Sequence, residues 1–365
     1  MPVELDRRAF LSGAGAAFLL GLSPAKAERL AGARTLFVTG FMDAQRRYGF
    51  AILDEAGRLI YRHEMPGRAH GFTFSQATGI AIGFARRPGN FAIAFRPFDP
   101  QNPSVFIAPK GRHFYGHGAF SADGKLLYAT ENDYEAGEGR IGIYDATDGF
   151  RRIGEFDSHG VGPHEMILMR DGRTLAIANG GIRTHPDFGR AKLNLAQMQS
   201  RIVLIDSRDG AGTASFALPP DHARMSLRHM VHAGDGSLWI GGQFEGDRFA
   251  APSPVSRLDE NGKLTALEMP DTASGLLSGY VGAVALSADG SKVGFSSPRG
   301  GGVAIFDTAT AKLADLVDLP RTSGLAGTES GFAASSEDGR FASASHDLSW
   351  DNHIWACNPD GSQSG

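Results

Sequence analysis

The 365-residue sequence predicts an all-β protein: one β-propeller domain of seven blades, with six the alternative count. Three observations predict it. A phrase recurs in which a small or polar start, often with histidine, leads through a short apolar run to an Asp-Gly turn and a second apolar run. It reads HGFTFSQATGIAIGF from His70, GHGAFSADGKLLYAT from Gly116, PHEMILMRDGRTLAIAN from Pro163, LRHMVHAGDGSLWIGG from Leu227, GAVALSADGSKVGFSS from Gly282 and GFAASSEDGRFASAS from Gly331. The Asp-Gly turns begin at Asp123, Asp171, Asp235, Asp289 and Asp338, at intervals of 48, 64, 54 and 49 residues. Each interval suits one four-stranded blade, with insertions in the longer cases. Composition agrees: 49 glycines punctuate short runs of aromatic and β-branched residues, a pattern of strands and turns.

The N-terminus precedes the repeats. Arg7-Arg8-Ala9-Phe10-Leu11, an apolar stretch from Ala14 to Leu22 and the small-x-small sequence Ala25-Lys26-Ala27 resemble a twin-arginine export signal over residues 1–27. A Sec signal is the alternative. The expected location is the periplasm, with residues 28–365 as the propeller and no transmembrane segment in that mature chain, since the apolar stretch is too short to span a bilayer. A twin-arginine substrate crosses folded, which permits a cofactor loaded beforehand.

From Arg34 to Pro66, the runs TLFVTG, YGFAILD and LIYRHEM form a partial unit of three strands. This partial unit and six full ones give seven blades; six result if the partial unit completes the last blade. The third repeat holds the longest insertion, GGIRTHPDFGRAKLNLAQMQS, in which Ala191 to Gln199 is expected to be helical. No linker or change of composition divides the chain.

Propeller geometry turns spacing into location. The start of each inner strand and the loop after each second strand share one face. That face collects His70, His117, His164, Glu165, Arg228 and His229, with the loops ENDYE, NGGIRTHPDFG, GGQFEG, SSPRGG and HDLSWDNH. Imidazoles that converge on the axis suit iron, copper, zinc or nickel. Glu131, His185, Glu245, His346 and His353 are positioned to add ligands or support from the loops. The competing reading is a polar plug of histidines bonded to backbone and water. Counted back from the turn Asp, His117 and His229 lie at −6 but His164 at −7, so one of them is expected to face away. Arg183 and Arg299, beside glycines, are expected to hold an anion, with Asn132 and Asn179 as further ligand-binding candidates. WDNH, from Trp350 to His353, either lines a site or latches the last blade.

Other chemistries are poorly supported. A net charge of −4 gives no basic surface for nucleic acid. The single cysteine, Cys357, excludes an intramolecular disulfide and a thiolate-rich cluster. The nucleophile elbow, the P-loop, the dinucleotide fingerprint and the haem-attachment motif are all missing from the sequence.

The phrases RHFYGHGAFSADGKLLYATENDYEAGEGRIGIYDA, SHGVGPHEMILMRDGRTLAIANGGIRTHPDFGR, SSPRGG and WDNH resemble an uncharacterised bacterial family of twin-arginine-exported, YVTN- or WD-repeat-like propellers. The likeness runs from about Arg34 to Ile354. Matching positions are His117, Glu131, Asn132, Tyr134, His159, His164, Glu165, Asn179, Arg183, His185, Arg299, Asp351 and His353; SPVSRLDENG in the fourth repeat departs from the pattern. The family is often encoded beside imelysin-type iron-uptake lipoproteins and a dihaem oxidoreductase-like protein, so the resemblance implies a periplasmic role in iron acquisition with such proteins as partners.

The expectation is a monomeric periplasmic propeller that binds a transition metal or metal complex, iron first and copper second, without turnover. Its metal residues would be His70, His117, His164, His229, His185, His353, Glu131 and Glu165. With imidazoles titrating near neutrality, binding would weaken on acidification. Two alternatives stand beside it: a metal-dependent oxidoreductase or lactonase-like enzyme on the same face, and a scaffold docking iron-uptake partners.

Overall fold

A computed structural model describes residues 23–247, 250–329 and 331–357. The expected signal segment therefore lies almost wholly outside the described residues. The chain forms seven four-stranded antiparallel sheets, numbered here as blades one to seven in chain order, and these make a single propeller domain. The partial N-terminal unit supplies three strands of blade one: Leu36–Asp43, Tyr48–Leu53 and Leu59–Met65. The inner strand of that blade is the C-terminal segment Leu348–Cys357, which pairs antiparallel with Leu36–Asp43. This settles the count at seven and corrects the placing of WDNH. The segment belongs to an inner strand, and it joins the two ends of the chain.

The inner strands of blades two to seven are Ala69–Ser75, Arg112–Phe120, Pro163–Leu168, Met225–His232, Ala283–Leu286 and Thr322–Thr328. Each lies against the inner strands of its neighbours around the axis. Burial falls outward along a blade. The second strand of blade four, Thr174–Asn179, is buried at five of its six positions, whereas the outer strand of blade three, Arg151–Asp157, alternates between exposed and half-buried residues. Middle strands are packed on both faces and so read as continuous apolar runs; outer strands keep one wet face and alternate.

The apolar core is distributed between blades. Seven clusters occupy the seven blade–blade interfaces: Phe84 and Phe114 meet between blades two and three, Ile141 and Leu175 between three and four, and Phe37 and Phe341 between one and seven. A fully buried side chain of this size stabilises by roughly 2 kcal/mol, so each interface holds its neighbours and the axis stays free. It carries a channel of about 490 Å³ that opens toward the Asp-Gly turns, lined there by Ser75 and Ser121. Asp289 shows how those turns are built: it accepts from the Ser287 and Ser291 hydroxyls and the Ser291 amide, and Gly290 takes a φ of +71°.

The helical expectation changes. Ala191 to Gln199 is not an α-helix; the insertion holds two 3-10 turns, Pro186–Phe188 and Leu195–Gln197. Asn194 interrupts it, with its side chain donating to the Gly181 carbonyl and accepting from the Arg183 amide, bonds that replace helical ones. A seven-residue helix, Asp271–Leu277, instead packs Ala273 and Leu277 inward, and Pro24–Gly32 forms a second helix before blade one. Among the described residues, no helix is long and apolar enough to cross a membrane.

Candidate metal centre

Five histidines from five consecutive blades close on the axis. His353 comes from blade one, His70 from blade two, His117 from blade three, His164 from blade four and His229 from blade five. Ring centroids are 4.5 Å apart for His70 and His353, 5.0 Å for His70 and His117, 5.4 Å for His117 and His164, 4.7 Å for His164 and His229, and 4.7 Å for His229 and His353. Two triads, His70–His117–His164 and His117–His229–His353, each place three candidate ligand nitrogens within 4.8 Å of one another.

Irregular strands make this possible. In each of the five inner strands the pairing register slips at or beside the histidine: between Ala69 and Phe72, Phe114 and Gly118, Pro163 and Glu165, and Leu227 and His229, and opposite Thr39 and Phe41 on the closing strand. A bulge breaks the two-residue alternation. The one-residue offset of His164 therefore does not aim it away, and that expectation is corrected.

Glu165 sits against the ring with its Oε2 accepting from His229 Nδ1 at 2.9 Å and from the Met230 amide at 3.3 Å, while its Oε1 lies 3.7 Å from His117 Nδ1. A carboxylate on Nδ1 fixes the tautomer that leaves Nε2 as the lone-pair donor. Asp351 lies 3.8 Å from His70 Nδ1. Burial acts to raise the Asp351 pKa, but His70, Arg68 and Arg86 outweigh it and hold the group ionised.

Burial also sets the charge of the ring. It pushes His70 down to about 4 and His117 and His229 down to about 3, and it holds His164 and His353 well below the ordinary histidine value. The expected titration near neutrality is thus corrected: desolvation disfavours the imidazolium, and the ring is neutral at pH 7. His70 Nδ1, His117 Nε2, His164 Nδ1 and His353 Nε2 are buried with no hydrogen-bond partner. Buried polar atoms rarely go unpaired, and no protein group among the described residues pairs these four. Neutral, converging nitrogen donors fit a borderline transition metal.

Other predicted residues lie elsewhere. Glu131 is on the second strand of blade three, Leu126–Asp133, rather than in a loop, and is fully buried. Its carboxylate is bound by Arg112, Tyr144 and Arg152 of its own blade. His185 lies beside Glu135, Asp187 and Tyr134. Asn132 bonds His113 and the Thr184 carbonyl, and Asn179 donates to the Ser158 carbonyl. Arg183 is exposed beside Gly137, whereas Arg299 stacks over Tyr280 at 5.1 Å. His346 bonds the Gly57 carbonyl, and His159 the Gly210 carbonyl.

The residues beside the ring that the sequence reasoning missed are cationic, Arg228 alone among them having been placed on this face. Arg68 and Arg86 flank Asp351, and Arg228 and Lys192 share Glu245. Arg86 and Arg228 are electrostatic neighbours of ring histidines, and both act on Arg87 as like charges. The available signal was positional: Arg86 and Arg87 follow a second strand, the same class of loop as ENDYE and SSPRGG.

The family model described as "Protein of unknown function (DUF1513)" matches residues 63–357. No curated protein matches the chain. Among solved structures, the chain is similar to hydrazine synthase of Kuenenia stuttgartiensis, at 13% identity and a TM-score of 0.57, over 81% of this chain and 91% of that one. It is also similar to a chain of a nidogen/laminin complex, at 12% identity and a TM-score of 0.50, over 78% of this chain and 93% of that one. At such identities the likeness is one of fold.

Proposed function

The chain belongs to the family of unknown function DUF1513, and for such a chain we propose a function read from its own site: a metal-binding propeller of the periplasm. The ring of His70, His117, His164, His229 and His353 holds one transition metal, iron first and copper second, with Glu165 orienting two of the ligands. The protein recognises and carries the metal without turnover, in iron acquisition, alongside imelysin-type or dihaem proteins. Export rests on Arg7-Arg8 and the apolar stretch after them. The iron association rests on the resemblance of the long histidine phrases.

One observation carries the metal reading: five neutral imidazoles from five blades converge, and four of them leave a buried nitrogen unpaired. The candidate nitrogens of each triad lie within 4.8 Å of one another, and these imidazoles would supply the nitrogen donors of one borderline transition metal. Elemental analysis of untagged protein from periplasm tests it. The expected result is one metal per chain, lost when His117 and His164 are both replaced by alanine. A chain without stoichiometric metal, and without a rise in Tm when iron or copper is added, overturns the reading.

A further inference from the structure

We propose that the outer side of the histidine ring binds a small oxygen-donor anion, a carboxylate or an inorganic oxyanion, on Arg87 in the neighbourhood of Arg86 and Arg228. The anion's role as a partner of the bound metal rests on the metal reading; the anion site itself stands on separate observations.

Arg87 is the first. It is partly buried, and no hydrogen bond or ion pair holds it among the described residues. A half-buried guanidinium with no bonded partner keeps its planar fork of donors available to an anion. Burial and the like charges of Arg228, Arg86 and Arg190 push its pKa down to about 10, with Tyr115 acting the other way. Arg87 is thus placed among cations.

The second observation is the shortage of counter-charge. Asp351 is already shared by Arg68 and Arg86, and Glu245 by Arg228 and Lys192. In these ion pairs two carboxylates hold four cations, with Glu337 a further electrostatic neighbour of Arg68, while Arg87 and Arg190 add two more cations. The third is Tyr115, an electrostatic neighbour of Arg87 on the inner strand of blade three. It is 4% exposed, and its buried hydroxyl makes no hydrogen bond of normal geometry, although the Thr184 side chain is near enough to act on it. An unpaired guanidinium fork and an unpaired O–H donor together fit an oxyanion, which accepts from both.

Charge also decides how the two ligands relate. A metal in a ring of neutral imidazoles adds positive charge beside these guanidinium groups, which an anion on Arg87 offsets. The same groups repel a free cation arriving from this side. The channel from the Asp-Gly face reaches the ring at Glu165 and holds no arginine along its lining. A bare cation therefore enters through the channel, and a metal entering past the arginines does so as an anionic complex.

Isothermal titration of the full-length protein with inorganic phosphate and, separately, with citrate tests the site, on metal-free and metal-loaded samples. The expected result is one anion per chain, with affinity falling as ionic strength rises. Arg87→Gln should weaken binding at least tenfold and Arg87→Lys should recover part of the loss. Tyr115→Phe should cost a few-fold, with metal content by elemental analysis unchanged in all three. Preference for citrate or phosphate then separates carboxylate from inorganic oxyanion. No binding by the wild-type chain in either form, or binding by Arg87→Gln equal to wild type, overturns the proposal. Metal content reports on the other reading independently: a chain that takes no metal but binds phosphate through Arg87 sinks the metal centre and keeps the anion site.

Discussion

Two glutamates, one buried and one half-buried, show how the same residue type comes to opposite tasks. In sequence Glu165 sits at a repeat start and Glu131 follows a second strand, and both look like ligands there. In the structure, Glu131 is saturated by Arg112, Arg152 and Tyr144, so its partners are the blade's own. Glu165 faces imidazoles instead. Replacing Glu131 by alanine should cost on the order of 3–5 kcal/mol in urea unfolding, because two guanidinium groups lose a buried partner. Metal per folded chain should not change. Replacing Glu165 by glutamine should do the reverse. Stability should hold within about 1 kcal/mol, the net worth of one hydrogen bond, while metal affinity measured by chelator competition falls about 10- to 100-fold. If the two variants behave alike, the division of labour is wrong. Sequence could not separate them, since a carboxylate's task depends on which cations other strands bring, and Arg152 lies 21 residues from Glu131.

At the level of strands, the ring depends on how closely two inner strands approach. Gly71 follows His70, and a Cβ there would stand 2.4 Å from the Gly116 carbonyl and 2.6 Å from His117 Nδ1. Gly116, at a φ of +108°, meets His70 in the same way, so glycine and histidine interleave across the gap between blades two and three. Gly71→Ala should push His117 off position, lowering stability by about 1–3 kcal/mol and removing metal from protein that is still folded by circular dichroism. Gly275→Ala is the control: no atom lies within 4 Å of the added methyl, and the helix should gain up to about 1 kcal/mol. Full occupancy in Gly71→Ala would show that the ring tolerates displacement and does not act as a preorganised site. The strands themselves were legible, because apolar runs and Asp-Gly turns carry local signals. The bulges that aim His164 inward were not, because a bulge is set by the partner strand's register.

The whole molecule spreads its core over seven interfaces, and this bears on its response to acid. Ring closure was half legible: the partial unit was visible, but the segment that completes it lies more than 300 residues away, and only tertiary pairing of Leu36 with Cys357 assigns it. Histidines buried along that circuit make stability depend on pH even without metal. His63 in blade one and His113 in blade three lie outside the ring, and burial pushes each from 6.5 down to about 4. His113 is held neutral, with Nδ1 on the Phe114 carbonyl and Nε2 accepting from Asn132. Protonation would abolish that acceptor. The unfolded chain takes up protons near pH 6.5 and the folded one near 4, so the unfolded state binds more protons between those values. Stability should be complete above about pH 6.5 and fall as the pH drops toward 4. Each histidine can contribute up to about 3 kcal/mol, since every pH unit between its unfolded and folded titration is worth about 1.4 kcal/mol. Carboxylates depressed below their ordinary values, such as Asp289 at about 2, act in a lower window and leave this one to the histidines. Urea unfolding of metal-free His117→Ala/His164→Ala protein at pH 7.5, 6, 5 and 4.5 should show midpoints that fall steadily from the second value onward. Midpoints that stay level to pH 4.5 would mean that His63 and His113 are solvated in the folded protein, and that water reaches the interiors of blades one and three.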